Sequence, residues 1–257
     1  MNIVKIDIAT KKAEKVVDYV AEEKPLHIFI NKAHYATVFC SPKELKELAV
    51  GLLLSEGIIK TVEEIAEITF EESGICSVNL KPIINLEARL KITHRPSHII
   101  PSVCGGPYQP QAIKQLKKIE STLKFKAETI QKCVNNLNSM AETFRKTGGV
   151  HAAAIYNGEG TLLALAEDVG RHNAVDKVIG ACALKKVDFS QCFLTLSGRL
   201  TGDIVLKAAR VGIPLIASLA AALDSGITIA KETNLTLIGF VRGKRMNVYT
   251  VPERILS

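Results

Sequence analysis

Aromatic side chains make up only 5% of this 257-residue chain. Proteins that bind single-stranded nucleic acid stack bases on aromatic rings set among basic residues. The scarcity of rings argues against such a platform, and no nucleic-acid partner is expected. Long apolar runs are missing too. The longest, residues 211–223, is 13 residues between Arg210 and Asp224 and is broken by Pro214. A bilayer span needs ~20 apolar residues, so no membrane partner is expected. The N-terminus (MNIVKIDIAT) has no uninterrupted apolar core of a signal peptide, and a cytoplasmic location is expected. Six cysteines are present (Cys40, Cys76, Cys104, Cys133, Cys182, Cys192), none in a C-x-x-C pair or at zinc-ligand spacing. Free thiols in a reducing compartment are therefore expected, with no metal ligated by the protein. Absent as well are G-x-S-x-G, H-E-x-x-H, the P-loop spacing, and the paired signatures of the zinc deaminases. No repeat or low-complexity tract appears.

What is present reads as an ordinary globular protein, 47% hydrophobic and 23% charged. A chain of this length buries roughly 70–75% of its unfolded surface and needs no covalent staple. Its net charge of +7 is unevenly placed. Residues 1–100 hold 13 basic and 14 acidic side chains, residues 101–257 hold 20 and 12. A basic second part favours an anionic partner, with a solvated basic surface as the plainer alternative.

Residues 26–30 and 34–40 are apolar and β-branched around Asn31-Lys32, the pattern of a hairpin. Ser41-Pro42-Lys43-Glu44 reads as a capping box, Leu45 to Leu53 as one helical face, and Gly57 as its stop. Residues 75–93 alternate and predict further strands. Three prolines and two glycines between Ile99 and Pro110 mark a loop. A helix is predicted over about 127–146, then a strand pair at 150–156 and 161–166. Helices near 172–184, 201–211 and 225–233 alternate with strands near 192–196, 213–218 and 235–241, the signature of a layered α/β domain. The domain boundary is expected within 99–130.

Cys104 sits in Pro101-Ser102-Val103-Cys104-Gly105-Gly106-Pro107, where glycines keep a sulfur accessible. A thiol there, near a basic surface, would be a good nucleophile, or merely an incidental loop cysteine. The other five cysteines fall in apolar or helical segments and read as small core residues. Glu167 to Asn173 lies between a strand end and a helix start, where Asp168 can cap the helix and Arg171 and His172 can reach a phosphate. A charged connection is the alternative. His151 opens an apolar strand and reads as a satisfied buried histidine. Ser197-Gly198-Arg199 precedes a helix whose amides, with Arg199, can hold an anion. Phe240-Val241-Arg242-Gly243-Lys244-Arg245 sets three cations in four positions, suited to a pyrophosphate or to a basic hairpin turn.

Together and in this order, these stretches resemble the formate dehydrogenase accessory sulfurtransferase family, the FdhD/NarQ proteins. The resemblance rests on Ser41-Pro42 with Leu48 to Ile59, Thr147 to Ala153, the run EDVGRHNAVDK at 167–177, Leu196 to Arg199, Ala209 to Pro214 and Gly239 to Tyr249. It implies a small N-terminal α/β domain (1–110, ending in the Cys104 loop) and a larger cytidine-deaminase-like three-layer α/β/α domain (111–257) without the deaminase zinc. It further implies a sulfur carrier. Cys104 would accept persulfide sulfur from a cysteine desulfurase and pass it to the molybdenum or tungsten of the bis-molybdopterin guanine dinucleotide cofactor. Formate dehydrogenase would be the client, and Phe240 to Arg245 would touch the guanine dinucleotide. A homodimer is expected. The family usually shows C-G-x-C-G in the loop, whereas here Pro107 stands at the second cysteine's place. A carrier that binds the cofactor without sulfur chemistry is the competing expectation.

Overall fold

Asn31 and Lys32 both take positive φ, 49° and 69°, the geometry of a tight turn matched to the twist of the strands it joins. They link β3 (Lys24–Ile30) to β4 (Ala33–Cys40) as the sequence pattern predicts. The structure is a computed structural model describing residues 1–93, 99–100 and 116–256; the Cys104 loop and the expected boundary at 110/111 lie outside the described residues. Ahead of β3 stands a separate hairpin of β1 (Asn2–Asp7) and β2 (Lys12–Val17). With β5 (Ile65–Glu71), β6 (Ile75–Leu80) and β7 (Ile99–Ile100), β3 and β4 form a five-stranded sheet in the order β5-β6-β3-β4-β7.

Helix α1 (Leu45–Ser55) is buried along both flanks. One flank covers the first sheet; the other packs on α5 (Arg171–Leu184). Two glycines make that contact possible. A Cβ on Gly51 would stand 1.7 Å from the Asp176 carbonyl oxygen, and one on Gly180 1.9 Å from that of Glu47. The backbones therefore touch, and one apolar core runs from the first sheet through α1 into the second half. Beside this contact, Lys207 Nζ reaches both Asp176 carboxylate oxygens at 2.9 Å, Glu56 at 3.1 Å and the Ser55 hydroxyl at 2.9 Å.

The second sheet has six strands: β9 (His151–Asn157), β10 (Leu162–Asp168), β11 (Cys192–Leu196), β12 (Leu215–Ser218), β13 (Thr236–Arg242) and β14 (Arg245–Val248). Their order is β10-β9-β11-β12-β13-β14, with β11, β12 and β13 parallel. Alternate side chains leave opposite faces, as strands require. Ala153, Ile155, Leu194 and Ile216 join the core under α5, α6 (Gly202–Val211) and α7 (Asp224–Glu232). Ala152, Ala154, Phe193 and Leu215 join a second core under α3 (Ala127–Met140). The result is the expected α/β/α sandwich. A short parallel pair, β8 (Phe125–Lys126) with β15 (Ile255–Leu256), closes one end. No helix among the described residues is long and apolar enough to cross a membrane.

Three local expectations fail, each for a non-local reason. Ser41 does not cap α1: the cap is Glu44, left-handed at φ 54°, with no side-chain bond. The Ser41 hydroxyl instead accepts from the Val169 amide at 3.1 Å, while the Ser41 amide donates to Asp168 at 3.0 Å. The alternation predicted through 75–93 ends at Leu80; residues 86–93 are α2 (Leu86–Thr93). Asn85 starts that helix by accepting from the Ala88 amide at 3.0 Å, and Arg89 anchors it on Glu64. The helix expected over 127–146 is two helices, α3 and α4 (Glu142–Thr147), broken at buried Ala141. The Glu167 carboxylate takes the Thr143 and Phe144 amides at 2.8 and 2.6 Å and so starts α4 anew.

Candidate functional site

Strands β10, β11, β12 and β13 all end, and β9 begins, at one edge of the second sheet. In open α/β sheets this carboxyl edge is where ligands bind. Arg171, His172, Ser197, Arg199 and Phe240 to Arg245 all lie along it, so the topology brings the sequence candidates to a single border. A cleft of about 410 Å³ opens there, walled by Phe144, Gly148, Gly149, His151, Val169, Ser197, Leu219, Ala220 and Arg242.

The basic segment is shaped by a β-bulge. Between Gly239 and Arg242 two residues oppose one on β14, and Phe240 takes a left-handed φ of 51°. A side chain seldom adopts that backbone without a compensating contact. The Phe240 amide donates to the Ala220 carbonyl at 3.0 Å. The kink turns Val241 into the core, fully buried, and Arg242 outward. The Arg242 guanidinium lies 5.4 Å from the Phe240 ring centre, and its Nε donates to the Leu219 carbonyl at 2.9 Å. Beyond it Gly243, at φ 55°, makes the hairpin turn, and its carbonyl accepts from Gln131 and Asn135 of α3. Arg242, Lys244 and Arg245 are exposed at this latched tip, and none forms an ion pair with a described residue.

The cleft floor rests on Ser218, which sequence reasoning missed because a serine ending an apolar strand carries no signal of its own. Its hydroxyl lies 2.9 Å from the Leu196 carbonyl and 2.7 Å from that of Gly198, and it accepts from the Ala220 amide at 3.0 Å. Ser197 is held by the Ala152 amide at 3.1 Å and lies 3.3 Å from His151 Nδ1. His151 is half-buried rather than closed in, and it faces the cleft. Burial, then the charges of Arg171, His172 and Arg199, lower its pKa below the ordinary histidine value. The unfolded chain therefore binds a proton that the folded chain refuses. Stability is expected to fall as pH drops through the ordinary histidine range, and His151→Gln should remove that part of the slope. Denaturant midpoints at neutral and mildly acidic pH check this; an unchanged slope in the variant would contradict it.

His172 is turned away from solvent. Its Nε2 is bonded to Asp203, whose other oxygen takes the Thr201 hydroxyl. Burial raises the Asp203 pKa, but the His172 bond and charge outweigh it and hold the carboxyl well below the usual range. Glu167 to Lys177 is mainly a joint. Asp168 and Lys177 form an ion pair at 2.7 Å with both side chains fully buried. Asp168 also accepts from the Gly170 amide and from Asn173, each at 2.9 Å. Lys177 also donates to the carbonyls of Ser41 and Glu167, each at 3.2 Å. Arg171 and exposed Arg199 remain at the edge.

Five of the six cysteines are buried, as the sequence reading expected. Burial pushes the thiols of Cys40, Cys76 and Cys182 up to about 12, and those of Cys133 and Cys192 up to about 11. Such thiols are poor nucleophiles at neutral pH. Cys104 lies outside the described residues.

The class these observations define is a two-sheet α/β protein: a three-layer domain joined to a smaller sheet, with an exposed basic carboxyl edge and only buried thiols among the described residues. Residues 21–256 match the FdhD/NarQ family, and the chain belongs to it. It is 38% identical over 248 residues to the sulfur carrier protein FdhD of Shouchella clausii, covering 94% of this chain and 91% of that one. To the sulfur carrier protein FdhD of Saccharolobus solfataricus it is 38% identical over 254 residues, covering 97% and 96%. A crystal structure described as a formate dehydrogenase accessory protein from Desulfotalea psychrophila superposes with a TM-score of 0.81 at 30% identity, covering 100% of this chain and 98% of the other.

Proposed function

We propose that this protein is a sulfur carrier in the maturation of formate dehydrogenase. Its relatives carry that name, and the observation that supports it most is the outward-turned, latched cluster of Arg242, Lys244 and Arg245 at the carboxyl edge. The cargo is the bis-molybdopterin guanine dinucleotide cofactor of molybdenum or tungsten. Its guanine dinucleotide end lies on Phe240 to Arg245, where guanidinium groups suit pyrophosphate oxygens. Arg171, Arg199, Ser197 and the helix amides beyond it extend the anion-binding surface. The Cys104 thiolate attacks the terminal sulfur of a cysteine desulfurase persulfide, a new S–S bond forms, and the desulfurase cysteine leaves as thiolate. Delivery to the cofactor metal would break the S–S bond of the Cys104 persulfide, with Cys104 leaving as thiolate and a reduced metal supplying the two electrons that take the sulfur to sulfide.

Guanosine diphosphate, as the nucleotide end of the cargo, is expected to bind the full chain. Arg242→Ala with Arg245→Ala should weaken it by ~10-fold or more, the loss of a good charge-assisted contact, as read by titration calorimetry. A desulfurase supplied with cysteine should add one sulfur, ~32 Da, to wild type and none to Cys104→Ala. No added sulfur in wild type would overturn the transfer step. Pro107 at the place of the second loop cysteine favours one other reading, a carrier that delivers the cofactor without sulfur chemistry. In that case Cys104→Ala would still restore formate dehydrogenase activity to a strain lacking this protein, and the double arginine variant would not.

A further inference from the structure

Helix α3 presents a row of amides to the latched hairpin and the cleft beside it. Gln131, Asn135 and Asn138 stand at positions i, i+4 and i+7, which share one face of a helix. The first two donate to the Gly243 carbonyl, Asn135 at 3.2 Å. Asn138 does not join them. It walls the cleft of about 410 Å³ together with Phe144, Leu219 and Arg242. Its Oδ1 is buried, with no hydrogen-bond partner among the described residues. An acceptor taken out of water and left unpaired costs free energy that an incoming donor restores. The terminal torsion of an asparagine is soft, so a turn of the untied amide brings Oδ1 to a donor inside the cleft.

We propose, on the cofactor-binding reading above, that Asn138 is the residue that selects the ring of the cargo. The ring it fits carries an N–H between a carbonyl and an exocyclic amino group, the edge common to guanine and pterin. That edge sets two donors side by side, and Asn138 Oδ1 is the acceptor that meets them. Phe144 offers an aromatic face to a flat ring, Leu219 an apolar wall, and Arg242 a guanidinium for the phosphate end of the same ligand. The cleft volume lies in the range of small-molecule sites. Adenine is refused, because its matching ring nitrogen carries a lone pair and would face Oδ1 acceptor to acceptor. A site built to bond a donor rejects an analogue that lacks it far better than an apolar pocket does. The charges of Arg242, Lys244 and Arg245 hold any pyrophosphate; Asn138 decides which ring may come with it.

The test uses the full chain and titration calorimetry with guanosine diphosphate, adenosine diphosphate, neopterin and inorganic pyrophosphate. Asn138→Leu keeps the side-chain volume and removes the acceptor. It should weaken guanosine diphosphate by ~10-fold if guanine fills the cleft, or neopterin by ~10-fold if the pterin does. Adenosine diphosphate and pyrophosphate, held through phosphate alone, should bind this variant as they bind wild type. Asn138→Asp sets two acceptor oxygens before the two donors and should tighten the same ring-bearing ligand by ~3-fold or more relative to pyrophosphate; this holds the question open to refutation even if the leucine variant folds poorly. Guanosine diphosphate and neopterin both indifferent to Asn138→Leu would overturn the role of Asn138 and leave the cofactor reading standing. So would an equal loss of pyrophosphate, which would mean that the variant merely displaces the arginines. A wild type that binds neither ring nor pyrophosphate would overturn the cofactor reading, and the ring selection with it.

Discussion

Gly51→Ala is expected to destabilise the protein by about 3 kcal/mol or more, at the upper end of what overpacking costs. The added methyl carbon would stand 1.7 Å from the Asp176 carbonyl oxygen, a backbone atom that no rotamer change can move. Relief requires α1 and α5 to separate, which opens the core shared by the two sheets and stretches the Lys207 contacts to Glu56 and Asp176. Gly180→Ala meets the same seam from the other side, so the two changes together should cost less than their sum. Gly149→Ala is the control, since its new carbon meets only the Ala21 side chain, at 3.1 Å, and the Thr147 residue beyond it. Urea midpoints for the three variants decide the matter. A Gly51→Ala midpoint equal to that of Gly149→Ala would show that the seam yields easily.

Lys177→Met carries the second large effect. Lys177 and Asp168 are both wholly inaccessible and 2.7 Å apart, and removing one partner leaves the other charged in a site that water does not reach. Such losses run to about 3–5 kcal/mol. The consequence should spread beyond the pair, because Asp168 also holds the Ser41 amide and Lys177 the Ser41 carbonyl. Hydrogen exchange is the informative readout: amides of α1 and of the segment around Val169 should lose protection together. Loss confined to α5 would mean that the ion pair stabilises its own helix and does not join the two halves.

The contrast between these residues and the expected ones explains what the sequence disclosed. The 26–40 hairpin, α1 and the alternation after residue 150 were legible because period and turn chemistry act within a few residues of each other. The basic run at 242–245 was legible as an exposed turn for the same reason, three cations within four residues. Ser41 was misread because its partner, Asp168, is 127 positions away, and the local pattern of serine, proline and glutamate satisfied a helix-start rule by itself. The break at Ala141 was hidden likewise, since the carboxylate that restarts the helix belongs to Glu167. The EDVGRHNAVDK run drew attention as a ligand site, yet Asp168, Asn173, Asp176 and Lys177 face one another or the first half of the chain. At the border its Val169 walls the cleft and Arg171 remains, while His172 turns inward to Asp203. Ser218 gave no sign at all, because its hydroxyl acquires its role from the two loops that converge on it.

That convergence makes the cleft floor behave as one body. The loop after β11, through Leu196 and Gly198, and the loop after β12, through Ala220, are tied to a single oxygen. Leu219 in turn is tied to Arg242. Arg242 is thereby linked through two hydrogen bonds, by way of Leu219 and Ser218, to the loop that carries Ser197. The placement of the arginine and that of the neighbouring loop are set together, by one small side chain.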